Sequence, residues 1–147
     1  MTGTSDGLLR LVNDVHFAFA RLFTHRAADY GLTRAHWRVM ARLYRHNGLT
    51  QTELSTAIAM ARSPLGKVID RLEESGLVER RLDPDDRRVK RLHLTPKADP
   101  LVAPARELSD GIEAKALSAL PKHRHDELLT DLNAIRTVLI QELEQES

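Results

Sequence analysis

Residues 49–94 read LTQTELSTAIAMARSPLGKVIDRLEESGLVERRLDPDDRRVKRLHL. Thr50-Gln51-Thr52-Glu53 opens this stretch in the Thr-x-x-Glu form, where the first and last side chains satisfy exposed backbone amides at a helix start. The pattern predicts a short helix over about 51–58, a break near Ala59–Ala61, and a second helix from Arg62 to Ser75. Leu65, Val68, Ile69 and Leu72 fall on the inner side of that second helix. Gly76 supplies a left-handed stop, and Pro64 is compatible because a first-turn proline removes an amide with no partner inside the helix. Gly66 costs about 1 kcal/mol relative to alanine and so marks a place where something must approach the backbone closely. Further on, Leu77 to Arg81 and Val89 to Leu94 are short, partly alternating runs joined by the polar link Asp83-Pro84-Asp85-Asp86-Arg87-Arg88. They predict a β-hairpin with a charged tip.

On the N-terminal side, Leu8, Val12, Val15, Phe19 and Leu22 recur every three or four residues and predict an amphipathic helix from about Asp6 to Asp29. Gly31 interrupts it. Thr33 then offers a cap for a helix carrying Trp37, Val39, Met40, Leu43 and Tyr44, ended by Asn47-Gly48. On the C-terminal side, Thr95-Pro96 predicts a cap and first-turn proline for a fifth helix bearing Leu101, Leu108, Ile112 and Leu117, its start bent or delayed by Pro100 and Pro104. After Pro121 comes a last helix on which Leu128, Leu132, Ile135, Leu139 and Leu143 form a narrow heptad-like stripe. The expected fold is therefore mainly α with a small β-hairpin wing.

Composition narrows the function. The chain has 147 residues, 41% hydrophobic and 29% charged, which suits one globular domain. Without cysteine it has no disulfide, thiolate metal site, cysteine nucleophile or thiol-based redox sensor. The N-terminus lacks a signal-peptide pattern and no apolar run spans a bilayer, so a cytoplasmic location without membrane contact is expected. The net charge of +1 conceals an uneven distribution. Residues 62–91 hold nine Lys/Arg against seven Asp/Glu, whereas residues 126–147 hold only Arg136 against six acids. A basic middle beside an acidic end suits a protein that offers one face to phosphate and keeps the other for protein contacts.

Two short helices across a tight break, followed by a basic hairpin, make a helix-turn-helix with a wing. The major groove of DNA admits one α-helix, and a basic loop can enter the narrower, more negative minor groove beside it. Arg62, Ser63 and Lys67 lie early on the recognition helix, and Arg71 continues its basic side. Enzymatic readings find little support. There is no Gly-x-Ser-x-Gly turn, and His123-Arg124-His125-Asp126 lacks the i,i+4 spacing of a defined metal site. No catalytic residue, metal or cofactor is expected.

Leu49-Thr50-Gln51-Thr52-Glu53-Leu54, then Asp70 through Arg80, then Asp83-Pro84-Asp85-Asp86-Arg87-Arg88 through Leu94-Thr95 occur in the order found in the multiple-antibiotic-resistance regulator (MarR) family, which this chain resembles closely over about residues 32–97. The resemblance implies a homodimeric winged helix-turn-helix regulator on an inverted-repeat operator in double-stranded DNA, acting as a repressor that a small ligand releases. Its parts would be an N-terminal dimerisation helix (1–30), a DNA-binding lobe (31–97) and C-terminal dimerisation helices (98–147). Arg62, Ser63, Pro64, Lys67 and Arg71 would serve the major groove, with Asp86, Arg87, Arg88 and Lys90 on the wing. Arg88 would be the minor-groove arginine and Asp86 the carboxylate that orients it. A small aromatic ligand would meet His16, Phe19, Trp37 and Met40, residues that also suit core packing. A ligand-independent DNA-binding or architectural protein of the same fold is the alternative. The chain departs from the family pattern at Ala61, where a capping serine is usual, at His36 for glutamine and at Ala98 for glycine.

Overall fold

The computed structural model describes residues 7–147, so the expected helix start at Asp6 lies outside the described residues. The chain forms two compact units, divided between Ser109 and Asp110. In the first, α1 (Leu8–Arg26) ends three residues earlier than expected, and a separate 3-10 turn (Ala28–Tyr30) carries the chain to Gly31 at φ +66°. Next come α2 (Arg34–Arg45), β1 (Leu49–Thr50), α3 (Gln51–Ile58) and α4 (Arg62–Glu74). The wing strands are β2 (Val78–Leu82) and β3 (Lys90–Leu94), and a 3-10 turn (Pro96–Ala98) leads into α5 (Asp99–Leu117).

The local chemistry explains these boundaries. Thr50 Oγ1 accepts the Glu53 amide at 3.1 Å while Glu53 Oε2 accepts the Thr50 amide at 2.8 Å, so α3 starts where its capping box lies. Ala59 closes α3 in the left-handed region at φ +49°, its amide donating to the Thr56 carbonyl at 3.3 Å. Ala61 gives α4 no side-chain cap, and the helix begins at Arg62 with Leu65 N donating to the Ala61 carbonyl at 3.1 Å. Gly76, at φ +73°, ends α4.

Leu54, Leu65, Ile69, Leu72, Val39, Met40 and Leu43 are almost completely buried, and with Trp37, Val78, Leu92 and Ala98 they join α2, α3, α4 and the sheet into one core. Each fully buried Leu or Ile contributes roughly 1.5–3 kcal/mol relative to exposure, so this cluster sets the angle between α3 and α4. Ala98 lies fully inside it, which accounts for a methyl group at that position.

Two expectations require correction. The hairpin belongs to a three-stranded antiparallel sheet in the order β1-β3-β2, with Leu49 opposite Leu92 and Arg80 also opposite Leu92 on the other side. Thr95 does not cap the following helix, because its hydroxyl donates to the Gly76 carbonyl and draws the sheet exit against the end of α4. In the second unit, Asp110–Ser147, the end of α5 is followed by α6 (His123–Gln145). Ile112 is buried there, while Leu129, Leu132, Val138, Leu139, Ile140 and Leu143 are exposed. No helix among the described residues is long and apolar enough to cross a membrane.

Candidate nucleic-acid interface

At about 100° per residue, Ser63, Lys67 and Arg71 follow one line along α4, opposite the buried Leu65, Ile69 and Leu72. All three are exposed, as are Arg62 and Pro64 in the first turn. Gly66 sits beside α3, where an added Cβ would meet Gln51 Nε2 at 3.2 Å. That amide donates to the Arg62 carbonyl at 3.2 Å, so the close approach inferred at Gly66 comes from the chain itself.

The wing tip is ordered by its own carboxylates. Arg88 Nε and Nη2 donate to the two oxygens of Asp86 at 3.0 and 3.1 Å, and the Arg88 amide donates to Asp86 Oδ1 at 3.1 Å. The Arg88 side chain is nonetheless 90% exposed. A planar, two-point pairing of this kind fixes the direction of a guanidinium while leaving its outer edge open. Arg88 holds the Asp86 carboxyl below the usual carboxylate range through these hydrogen bonds. Arg87 and Lys90 are exposed on the same hairpin.

Several residues that hold the lobe together carry no sequence signal of their own. Arg80 reaches from β2 to α4, donating to Asp70 at 2.7 Å and Glu73 at 2.8 Å. Arg38 on α2 donates to the Ile58 carbonyl at the end of α3. Lys97 donates to the Ser75 carbonyl at 2.8 Å, closing the end of α4.

A MarR-family model matches residues 32–90. The transcriptional repressor CouR, solved bound to a 23-mer DNA duplex, is 30% identical over 92% of this chain and 96% of its own, with a TM-score of 0.76. The chain belongs to the MarR family. Transcriptional regulator PA3341 is also 30% identical, over 89% of this chain and 96% of its own, with a TM-score of 0.80. Bordetella bronchiseptica BpsR, at 21% identity over 92% and 97% of the two chains and a TM-score of 0.74, shares the fold. As a MarR-family member, the chain is a DNA-binding transcription regulator.

The MarR resemblance also directs attention to α1 and α2. His16 is exposed, with Nε2 3.1 Å from Arg34 Nη2, and Phe19 is half-buried and stacked on Phe23 with centroids 6.4 Å apart. Trp37 and Met40, in contrast, lie in the core at 6% and 2% exposure. Trp37 packs nearly perpendicular to the rings of Phe23 and Tyr30, with centroids 5.5 and 5.7 Å apart, yet its indole N–H is buried without a hydrogen-bond partner, as is Arg34 Nε. His36, where MarR proteins often carry glutamine, accepts the Thr33 amide on Nδ1 at 3.1 Å and completes the cap of α2. His125 Nε2 lies 3.1 Å from the Leu120 carbonyl, a local contact at the start of α6.

Proposed function

We propose that this chain is a homodimeric repressor that reads an inverted-repeat operator, placing α4 in the major groove and the wing in the minor groove. The observation that carries the reading is Arg88, held in place by Asp86 yet almost wholly exposed, in the same lobe as the exposed line Ser63, Lys67 and Arg71. An arginine oriented before binding suits the minor groove, where width and phosphate potential matter more than base identity. Lys67 and Arg62 would meet base edges or phosphates, with Ser63, Pro64, Arg87 and Lys90 at the margins. CouR, a repressor bound to DNA, supports the same assignment. The protein acts as a binding module rather than an enzyme, in the cytoplasm with its DNA.

Dimerisation falls to residues 1–30 and 98–147 in this reading. Leu8, Leu9, Leu11, Val12 and Val15 on α1, and Leu132, Leu139 and Leu143 on α6, leave apolar area exposed that a two-fold partner would cover. An aromatic effector would enter beside His16 and Phe19, with the unpaired N–H groups of Trp37 and Arg34 as donors and Met40 behind them. BpsR, whose DNA binding is regulated by 6-hydroxynicotinic acid, favours an effector. A ligand-independent DNA binder is the competing reading, and a thermal-shift screen with aromatic acids followed by operator release separates the two.

Selection of bound sequences from random DNA tests the main proposal, and an inverted repeat with half-sites about one turn apart is the expected result. Arg88→Ala should lower affinity for operator and random DNA alike and reduce the salt slope by about one. Lys67→Ala should change base preference at the half-site centre. Failure to enrich any motif, together with unchanged binding by Arg88→Ala, would refute the reading.

A further inference from the structure

Asp83 is the one carboxylate buried among the described residues, at 7% exposure, and it stands at the root of the wing tip. Its Oδ1 accepts the amides of Asp85 at 2.8 Å and Asp86 at 3.1 Å, so a single oxygen shapes the turn that carries the Asp86 and Arg88 pair. Its Oδ2 accepts Arg91 Nε from the returning strand. Backbone bonds from Asp83 N to the Val89 carbonyl and from Val89 N to the Asp86 carbonyl, both 2.9 Å, close the loop.

Arg91 is spoken for on several sides. Besides Asp83, its Nη1 donates to the Gly48 carbonyl at 3.0 Å and lies 3.6 Å from Glu53 Oε2. That carboxylate oxygen is the same one that accepts the Thr50 amide in the cap of α3. One guanidinium therefore touches the chain before β1, the start of α3 and the base of the wing. Its side chain is 37% exposed against 90% for Arg88, because the fork is turned inward to protein acceptors.

We propose that Arg91 is a positioning residue for DNA binding, which sets where Arg88 stands relative to the helix-turn-helix without itself contacting DNA. The alternative for a basic residue on a wing strand is a direct phosphate contact. Two of its donor nitrogens are already engaged by protein oxygens, which argues against that. The hydrogen bond from Arg91 is also the main reason the Asp83 carboxyl is held below the usual carboxylate range, ahead of the Asp85 and Asp86 amides. Removing Arg91 would leave a buried carboxylate without its counter-charge at the point from which the tip is hung. The rest of the lobe has its own core and would remain folded.

The inference rests on the proposed minor-groove role of Arg88, and a double-mutant cycle distinguishes failure of one from failure of the other. Operator affinity is measured for wild type, Arg88→Ala, Arg91→Gln, Arg91→Lys and the Arg88→Ala/Arg91→Gln double variant, each with a thermal melt. Arg91→Gln should lose about tenfold in operator affinity, while in the Arg88→Ala background the same change should cost little, a coupling of ~1.4 kcal/mol. Arg91→Lys keeps the charge but not the fork, and should lose most of the same affinity at every salt concentration. Wild-type affinity in Arg91→Lys would make Arg91 a plain charge and overturn the proposal. So would additive losses in the double variant, the result expected of a direct contact or a general loss of stability. If Arg88→Ala itself binds as wild type, the minor-groove reading fails first.

Discussion

His36 Nδ1 accepts the backbone amide of Thr33 at 3.1 Å while Thr33 Oγ1 accepts the His36 amide at 3.3 Å. This is a capping box in which an imidazole replaces the usual Glu or Gln, and it works only while Nδ1 is unprotonated. Partial burial lowers the His36 pKa below its ordinary 6.5, and the Arg71 cation on α4 lowers it further. The folded state therefore favours neutral His36. Its contribution to stability is complete above pH 6.5 and is lost as the pH falls through the lower folded-state pKa. His36→Gln keeps an acceptor without a titration, so its melting temperature should fall less than that of wild type between pH 7 and pH 5. Parallel curves for the two proteins would remove His36 from the explanation.

Arg80 neutralises Asp70 and Glu73 on the helix that we place against phosphate. Arg80→Gln should weaken operator binding several-fold, because two carboxylates then face DNA without a counter-charge. Adding Asp70→Asn should restore part of the loss. A purely structural role for Arg80 predicts no such recovery, and fluorescence anisotropy on wild type, the two single variants and the double variant decides the matter.

Leu132 and Ile135 belong to the apolar stripe of α6, Leu132 at 37% exposure and Ile135 half-buried. Aspartate at both positions should raise the dimer dissociation constant more than about 30-fold, equivalent to ~2 kcal/mol, as for the loss of an interface centre. Sedimentation velocity should then show monomer at micromolar concentration, and operator affinity should fall although no DNA-facing residue has changed.

Leu65 is fully buried between α4 and the rest of the lobe. Leu65→Ala should cost about 2–5 kcal/mol of unfolding free energy, read from the urea midpoint with an unchanged slope. A loss below 1 kcal/mol would mean that α4 is held by its ends rather than by its core face.

The parts of this lobe that were legible in the sequence are those fixed by neighbours. The Thr50 and Glu53 box, the left-handed Gly76 and the polar hairpin link act within a few residues, and the corresponding boundaries of α3, α4 and the wing strands fall within one residue of where the pattern puts them. What escaped depends on distant partners. A two-residue strand has no alternation to detect, so β1 emerges only through its pairing with Leu92 and Arg91. Thr95 has the form of a cap, but a carbonyl 19 residues earlier claims its hydroxyl. Arg91 looks like one more basic residue on the wing until the chain brings Gly48 to it from 43 residues away. His36 departs from the family pattern, and its ring nitrogen accepts the Thr33 amide as the Glu or Gln of a capping box does.

The turn between α3 and α4 rests on Ala59, the only described residue other than glycine in the left-handed region. An L-residue pays roughly 1–2 kcal/mol to stand there, whereas glycine would stand there freely but surrender about 0.5–1 kcal/mol of chain entropy on folding. The two quantities either offset or leave glycine ahead by about 1 kcal/mol. Alanine therefore holds the elbow between α3 and α4 at or slightly short of its most stable form, and a β-branched side chain at position 59 would strain it further.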